Sequence, residues 1–197
     1  MVIHDIKLKQ KPFRENIVHI VPLGFEIDRA VKPFEGKEGF RANRVHLLSA
    51  IESDGTPEHF VDRHRKYVEV VQSKLESFGI EVIIHHTLLI DILEVMKKVS
   101  SIILREKLEG NIVYLNMSAA GRLTSVGATL AAMVQGGRVY YVKASDYSSD
   151  EESMDTHGYS ICDEVQIVFI ENFKINLPDK TCARARQRLL VFHRFQI

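Results

Sequence analysis

Hydrophobic positions gather in six short, nearly continuous runs: Ile17 to Val21, Arg44 to Leu48, Ile80 to Ile84, Ile112 to Asn116, Val139 to Val142 and Val165 to Ile170. These runs are rich in valine and isoleucine and are apolar at consecutive positions. Strands of that kind need cover on both faces, which suits a parallel sheet packed between helices. Between the runs the period becomes helical. Over Pro57 to Phe78, the residues Phe60, His64, Tyr67, Val68, Val71, Leu75 and Phe78 recur at spacings of three and four, and Gly79 follows as a stop. Leu88 to Leu108 repeats the pattern through Leu89, Ile92, Leu93, Met96, Val99, Ile103 and Leu104, and Gly110 closes it. A third helix is predicted from about Leu123 to Gln135, ended by Gly136-Gly137. Its Gly127, Ala128, Ala131 and Ala132 form a small-residue face that allows close approach to the sheet, for packing or for a ligand.

Strands alternating with helices imply right-handed β-α-β crossovers. The predicted fold class is therefore α/β: a Rossmann-like, doubly wound, mainly parallel six-stranded sheet with helices on both faces. Three spans divide the chain: a leader over 1–15, the α/β domain over 16–172, and a basic C-terminal helix over 173–197. In that last span Lys174, Lys180, Arg184, Arg186, Arg188 and Arg194 stand against Asp179 alone, and Pro178-Asp179 resembles a helix start. Ala144 to Ser160 is polar and acidic and reads as a mobile, solvated loop.

Composition narrows the function classes. Lysine plus arginine balances aspartate plus glutamate at 26 each, so the chain as a whole gives no electrostatic case for nucleic acid or membrane. Cys162 and Cys182 form no CxxC pair and lack zinc-ligand spacing, which fits a reducing compartment. No apolar run reaches the roughly 18 residues of a membrane span, and Met1 to Phe13 is too polar for a signal peptide. The expectation is a cytoplasmic protein with no membrane partner, no metal and no cofactor.

In open α/β sheets ligands bind beyond the carboxyl ends of the strands, where the winding reverses. Four loops qualify: residues 22–29, 49–55, 85–87 and 118–122. The fourth is the most specific. The stretch Asn116, Met117, Ser118, Ala119, Ala120, Gly121 and Arg122 lets a ligand approach backbone N–H groups at a helix start. There Arg122 offers a cation, and Ser118, Thr124 or Ser125 a hydroxyl. It is neither GxxxxGK[ST] nor GxGxxG, which argues against a triphosphate hydrolase and a dehydrogenase. A tight turn with an incidental arginine is the plainer alternative. The first loop adds Leu23, Gly24 for close approach, Phe25 for stacking and Arg29 as a second cation, while Glu26 and Asp28 would repel phosphate and suit ribose or base edges. Glu26 and Arg29 could equally pair on a helix surface. In a 3-2-1-4 strand order these two loops would flank one crevice. His85-His86 ends the third strand, where a histidine can bind phosphate or exchange a proton.

The first-strand run His19-Ile-Val-Pro-Leu-Gly-Phe-Glu-Ile-Asp-Arg29, the strand Arg44 to Leu48, and Leu115-Asn-Met-Ser-Ala-Ala-Gly-Arg122 resemble archaeal transcriptional regulators carrying a CRISPR-associated Rossmann-fold (CARF) domain. The resemblance covers about Asn16 to Asn172; Ala119-Ala120 departs from the glycine-rich turn common in that superfamily. It implies a homodimer that binds a cyclic oligoadenylate across its two-fold axis, with Gly24, Phe25, Ser118, Gly121 and Arg122 at the ligand. It also implies transcription control in antiviral defence through a winged helix-turn-helix. The sequence stops before a recognition helix fits, so a DNA partner is expected only where that module is complete. Three functions stay open: a sensor of the cyclic nucleotide, a metal-independent ring nuclease using Ser118 and Arg122, and an α/β dimerisation scaffold without ligand.

Overall fold

The computed structural model describes residues 15–36, 39–51 and 58–170. The expected leader except Glu15, residues 52–55 of the second loop, and the basic C-terminal helix lie outside the described residues. In chain order the elements are β1 (Ile17–Pro22), α1 (Ile27–Val31), β2 (Arg44–Ala50), α2 (Glu58–Ser77), β3 (Glu81–Thr87), α3 (Ile92–Leu108), β4 (Ile112–Asn116), α4 (Arg122–Val134), β5 (Arg138–Lys143), β6 (Asp146–Tyr147), α5 (Glu151–His157), β7 (Ser160–Ile161) and β8 (Gln166–Ile170). The main sheet runs β3-β2-β1-β4-β5-β8, with β8 antiparallel to β5 and every other pair parallel. Winding therefore reverses between β1 and β4. This is an α/β, Rossmann-like fold.

Side-chain alternation distributes the core. Val21, Val45 and Leu47 join Ile27, Ala30, Tyr67, Val71 and Leu75 beneath α1 and α2. Ile20, Leu48, Val113 and Leu115 join Val95, Val99, Ile103, Ala128, Ala131 and Ala132 beneath α3 and α4. Both layers are needed because the buried strands are apolar on both faces. The small residues of α4 serve a helix crossing as well as the sheet: a Cβ on Gly127 would lie 3.0 Å from the Ile92 carbonyl oxygen of α3.

Two buried polar clusters stiffen the strands. On the α3 side, His46 Nε2 donates to Glu106 Oε1 at 2.7 Å, and His85 Nε2 donates to His46 Nδ1 at 2.8 Å. Burial depresses the His46 pKa more than Glu106 raises it. The contact is therefore a neutral imidazole donating to a carboxylate. Burial alone would raise the Glu106 pKa, but hydrogen bonds from His46, Asn111 and Arg44 outweigh it and hold the carboxyl low. On the other face, His19 sits among Phe34, Phe40, Tyr114 and Tyr140, and burial lowers its pKa to about 4.

Three expectations need correction. The helix expected from Leu88 starts at Ile92, because the Asp91 side chain accepts the N–H groups of Leu93 and Glu94 and caps it there. Residues 144–160, expected as a mobile loop, fold into the ribbon β6-β7 around α5. That helix is capped by Asp150 and fastened to α2 by Lys66–Asp155 at 2.6 Å and Tyr67 Oη donating to the Met154 carbonyl. The first loop contains the short helix α1, whose five residues are all buried.

Candidate functional site

The carboxyl ends of β1 and β4 are tied together by their backbones. Gly24 N–H donates to the Ala119 carbonyl at 2.7 Å, and Leu23 N–H to the Leu48 carbonyl at 2.9 Å. A Cβ on Gly24 would meet Ala120 Cα at 3.3 Å and Ala119 O at 3.4 Å, so glycine is what lets the two loops touch. Beside that contact opens a cavity of about 780 Å³, within the ~300–1,000 Å³ usual for small-ligand sites.

Its walls come from six segments. Leu23, Gly24, Phe25 and Glu26 follow β1; Ser49, Ala50 and Ile51 end β2; Phe60, Val61, His64, Arg65 and Val68 face in from α2. His86 lies near the end of β3 and Leu88 to Ile90 after it, Ala120, Gly121 and Thr124 at the start of α4, and Tyr159 beside β7. Phe25 is the centre of an aromatic group, with ring centroids 5.8 Å from Phe60, 5.9 Å from Tyr67, 5.7 Å from Tyr159 and 6.0 Å from His64. Tyr159 is held there because its N–H donates to the Phe25 carbonyl at 2.8 Å.

His64 is a brace. Its Nε2 accepts the Ala50 N–H at 3.0 Å. A backbone amide can only donate, so the ring proton lies on Nδ1, where it serves the Gly24 carbonyl. Burial lowers the His64 pKa, and nearby His86 adds to this against the Gly24 bond. The ring is neutral and links the loop after β1 to the end of β2.

Beneath the wall lies a layer of support. Asn116 Nδ2 donates to the Arg29 carbonyl at 2.8 Å, and its Oδ1 accepts from Ser118 N–H at 2.9 Å and Ser118 Oγ at 2.6 Å. Ser118 Oγ also accepts the Val142 N–H at 3.1 Å. Arg29 Nη1 donates to the Ser118 carbonyl at 3.2 Å, and its guanidinium lies 5.2 Å from the Tyr141 ring centre. Asn116, Ser118, Ala119 and Arg29 are buried and shape the loop from below. Thr124 donates to the Leu89 carbonyl at 2.7 Å and still borders the cavity.

Of the residues singled out in the sequence, Leu23, Gly24, Phe25, Ala120, Gly121 and Thr124 thus meet at the cavity. Arg122 is exposed at the first position of α4, next to the lining residue Gly121. His85 lies outside the lining. In the β2–β3 register it pairs with Leu48 and shares the α3 side, whereas His86 pairs with Ser49 and faces the cavity. Alternation admits only one of two successive histidines. The α2 residues and Tyr159 carried no motif; Phe60, His64 and Val68 stood in the sequence as a helix stripe. Helix starts differ as well: α3 and α5 are capped by aspartates, whereas α4 has no side-chain cap. Among the described residues, no group of three His, Cys, Asp or Glu could hold a metal ion, and no helix is long and apolar enough to cross a membrane.

Comparison with known proteins gives a family and a fold. Residues 17–147 match the family model described as "HFX_2341_N:-like, N-terminal". No curated protein matches the chain. Enterococcus italicus Csm6 bound to cyclic hexa-2'-fluoro-hexa-dAMP aligns with TM-score 0.55 and 12% identity, over 89% of this chain and 46% of that one. A type III CRISPR defence DNA nuclease activated by cyclic oligoadenylate aligns with TM-score 0.50 and 15% identity, over 66% and 19%. Can2 from Sulfobacillus thermosulfidooxidans in complex with cyclic tetra-adenylate gives 0.48 and 13%, over 64% and 32%. The chain spans less than half the length of each of these proteins. At such identities the likeness is one of fold.

Proposed function

The chain belongs to the HFX_2341_N:-like, N-terminal family, and from that premise we propose that it is a sensor domain whose cavity takes part of a cyclic oligoadenylate. The observation that carries this reading is a single opening with two chemistries. One side has the uncapped N-terminus of α4 with Gly121, suited to a phosphate, and exposed Arg122 follows it just outside the lining. The other has the rings of Phe25, Phe60 and Tyr159, suited to a stacked base at about 1–3 kcal/mol per base. Phosphate and adenine are the repeating units of such a ring. Csm6, bound to cyclic hexa-2'-fluoro-hexa-dAMP, and the type III nuclease, activated by cyclic oligoadenylate, lend support at the level of fold.

The proposal includes a homodimer. Leu123, Val126, Leu130 and Val134 are exposed at 54%, 50%, 46% and 67% and make a stripe along the outside of α4. A second copy packed on that stripe brings two Arg122 side chains and two cavity mouths to one two-fold axis, the symmetry a repeating ring asks for. Binding would then alter dimer geometry and, through the basic region after residue 172, control transcription in antiviral defence. Cleavage of the ring is the weaker reading, since Ser118 is buried with its hydroxyl committed to Asn116 and Val142.

The test is fluorescence polarisation with labelled cyclic tetra- and hexa-adenylate. The expected result is saturable binding of one ring, weakened about ten-fold or more in Arg122→Ala through loss of a charge-assisted hydrogen bond of about 1.5–3 kcal/mol. Failure of the wild-type chain to bind either ring contradicts the reading.

A further inference from the structure

We infer that Glu26 reads the exocyclic amine of a base stacked in the cavity and thereby prefers adenine to its oxo analogue hypoxanthine. The inference rests on the sensor reading and adds a residue that discriminates between bases.

Glu26 follows Phe25 in the cavity wall. Its Oε1 accepts from Ser160 Oγ at 3.1 Å and lies 3.6 Å from Arg29 Nη1. Its Oε2 is buried and, among the described residues, has no hydrogen-bond partner. An unpartnered buried oxygen is costly and is relieved by any donor brought beside it. The other acidic residue of this loop is already occupied: Asp28 Oδ2 accepts from His157 Nδ1 and from Cys162 N–H, each at 3.0 Å. Among the described residues, Glu26 is the one of the two with a buried carboxyl oxygen that lacks a partner.

The surroundings select the donor. Tyr159, whose ring stands 5.7 Å from that of Phe25, immediately precedes Ser160, so adjacent residues supply a stacking face and an anchor for the carboxyl. A phosphate would meet the carboxylate with like charge and belongs at the Gly121-Arg122 side. A base lying against Phe25 and Tyr159 turns its edge toward Glu26. The C6 amine of adenine donates to Oε2, whereas the C6 oxygen of hypoxanthine sets lone pairs against it. Burial raises the Glu26 pKa above the usual carboxylate value, with Ser160 and Arg29 opposing the shift. That is the cost of a charge still short of one donor.

The experiment compares cyclic oligoadenylate with the inosine ring of the same size, using the full chain as wild type, Glu26→Gln and Glu26→Asp. Wild type is expected to bind the adenine ring about ten-fold or more tightly than the inosine ring, since the amine is replaced by an unmatched acceptor. Glu26→Gln, whose amide can accept from an amine or donate to a carbonyl, brings the two affinities to within about three-fold. Glu26→Asp keeps the charge but draws it back by a methylene and also loses the preference, which separates edge reading from net charge. An unchanged adenine-to-inosine ratio in both folded variants, their thermal midpoints near that of wild type, overturns the role of Glu26 while leaving the sensor reading intact. A wild-type chain that binds neither ring overturns both.

Discussion

Among the described residues, four histidines carry depressed pKa values for one dominant reason, burial: His19 and His85 at about 4, His46 and His64 lowered. Each is neutral in the folded protein and takes up a proton more readily once unfolded, where the value is near 6.5. The sign follows from linkage. Their contribution to stability is complete above about pH 6.5 and is lost as pH falls from there toward 4. Urea unfolding monitored at pH 7.5, 6.5, 5.5 and 4.5 is expected to show stability declining below 6.5, and His19→Gln to flatten part of that slope. Equal stability at all four values would contradict it. From the sequence, His85-His86 could be placed at the end of a strand, but which of them faces the cavity depends on pairing register, and sequence does not state register. His64 was legible only as part of a helix stripe, because its partners, Ala50 N–H and the Gly24 carbonyl, come from two other segments.

At the scale of elements, consecutive apolar runs and glycine stops located the six main-sheet strands and three long helices to within a few residues, since both signals are local. The order of the segment around α5 comes from outside it, so its own polar, acidic composition reads as a loop. Asp150 caps α5, but Arg63, Lys66 and Tyr67 of α2 and Asp28 of α1 fix it in place. Exposed ion pairs of this kind contribute little singly, so the tighter constraint is Gly158. It has φ +80°, and a Cβ there would stand 2.5 Å from Ile27 N and 2.6 Å from the Phe25 carbonyl oxygen. Gly158→Ala is expected to cost about 1–3 kcal/mol of local strain, to release Tyr159 from Phe25, and to make residues 146–161 the first site of limited proteolysis. A cleavage pattern identical to wild type would show that the β6-α5-β7 segment is not seated through this glycine.

For the whole molecule, the strand order puts the reversal of winding between β1 and β4, and the cavity opens at their carboxyl ends. That much follows from how doubly wound sheets bind ligands. The dimer proposal adds that the apolar stripe of α4 and its uncapped N-terminus lie on one helix, so a single packing surface aligns two cavities. The most direct measurement is isothermal titration of the chain with cyclic tetra-adenylate and cyclic hexa-adenylate. The proposed function predicts heat with one of them at a stoichiometry of one ring per two chains; no heat with either ring, at concentrations well above micromolar, would contradict it.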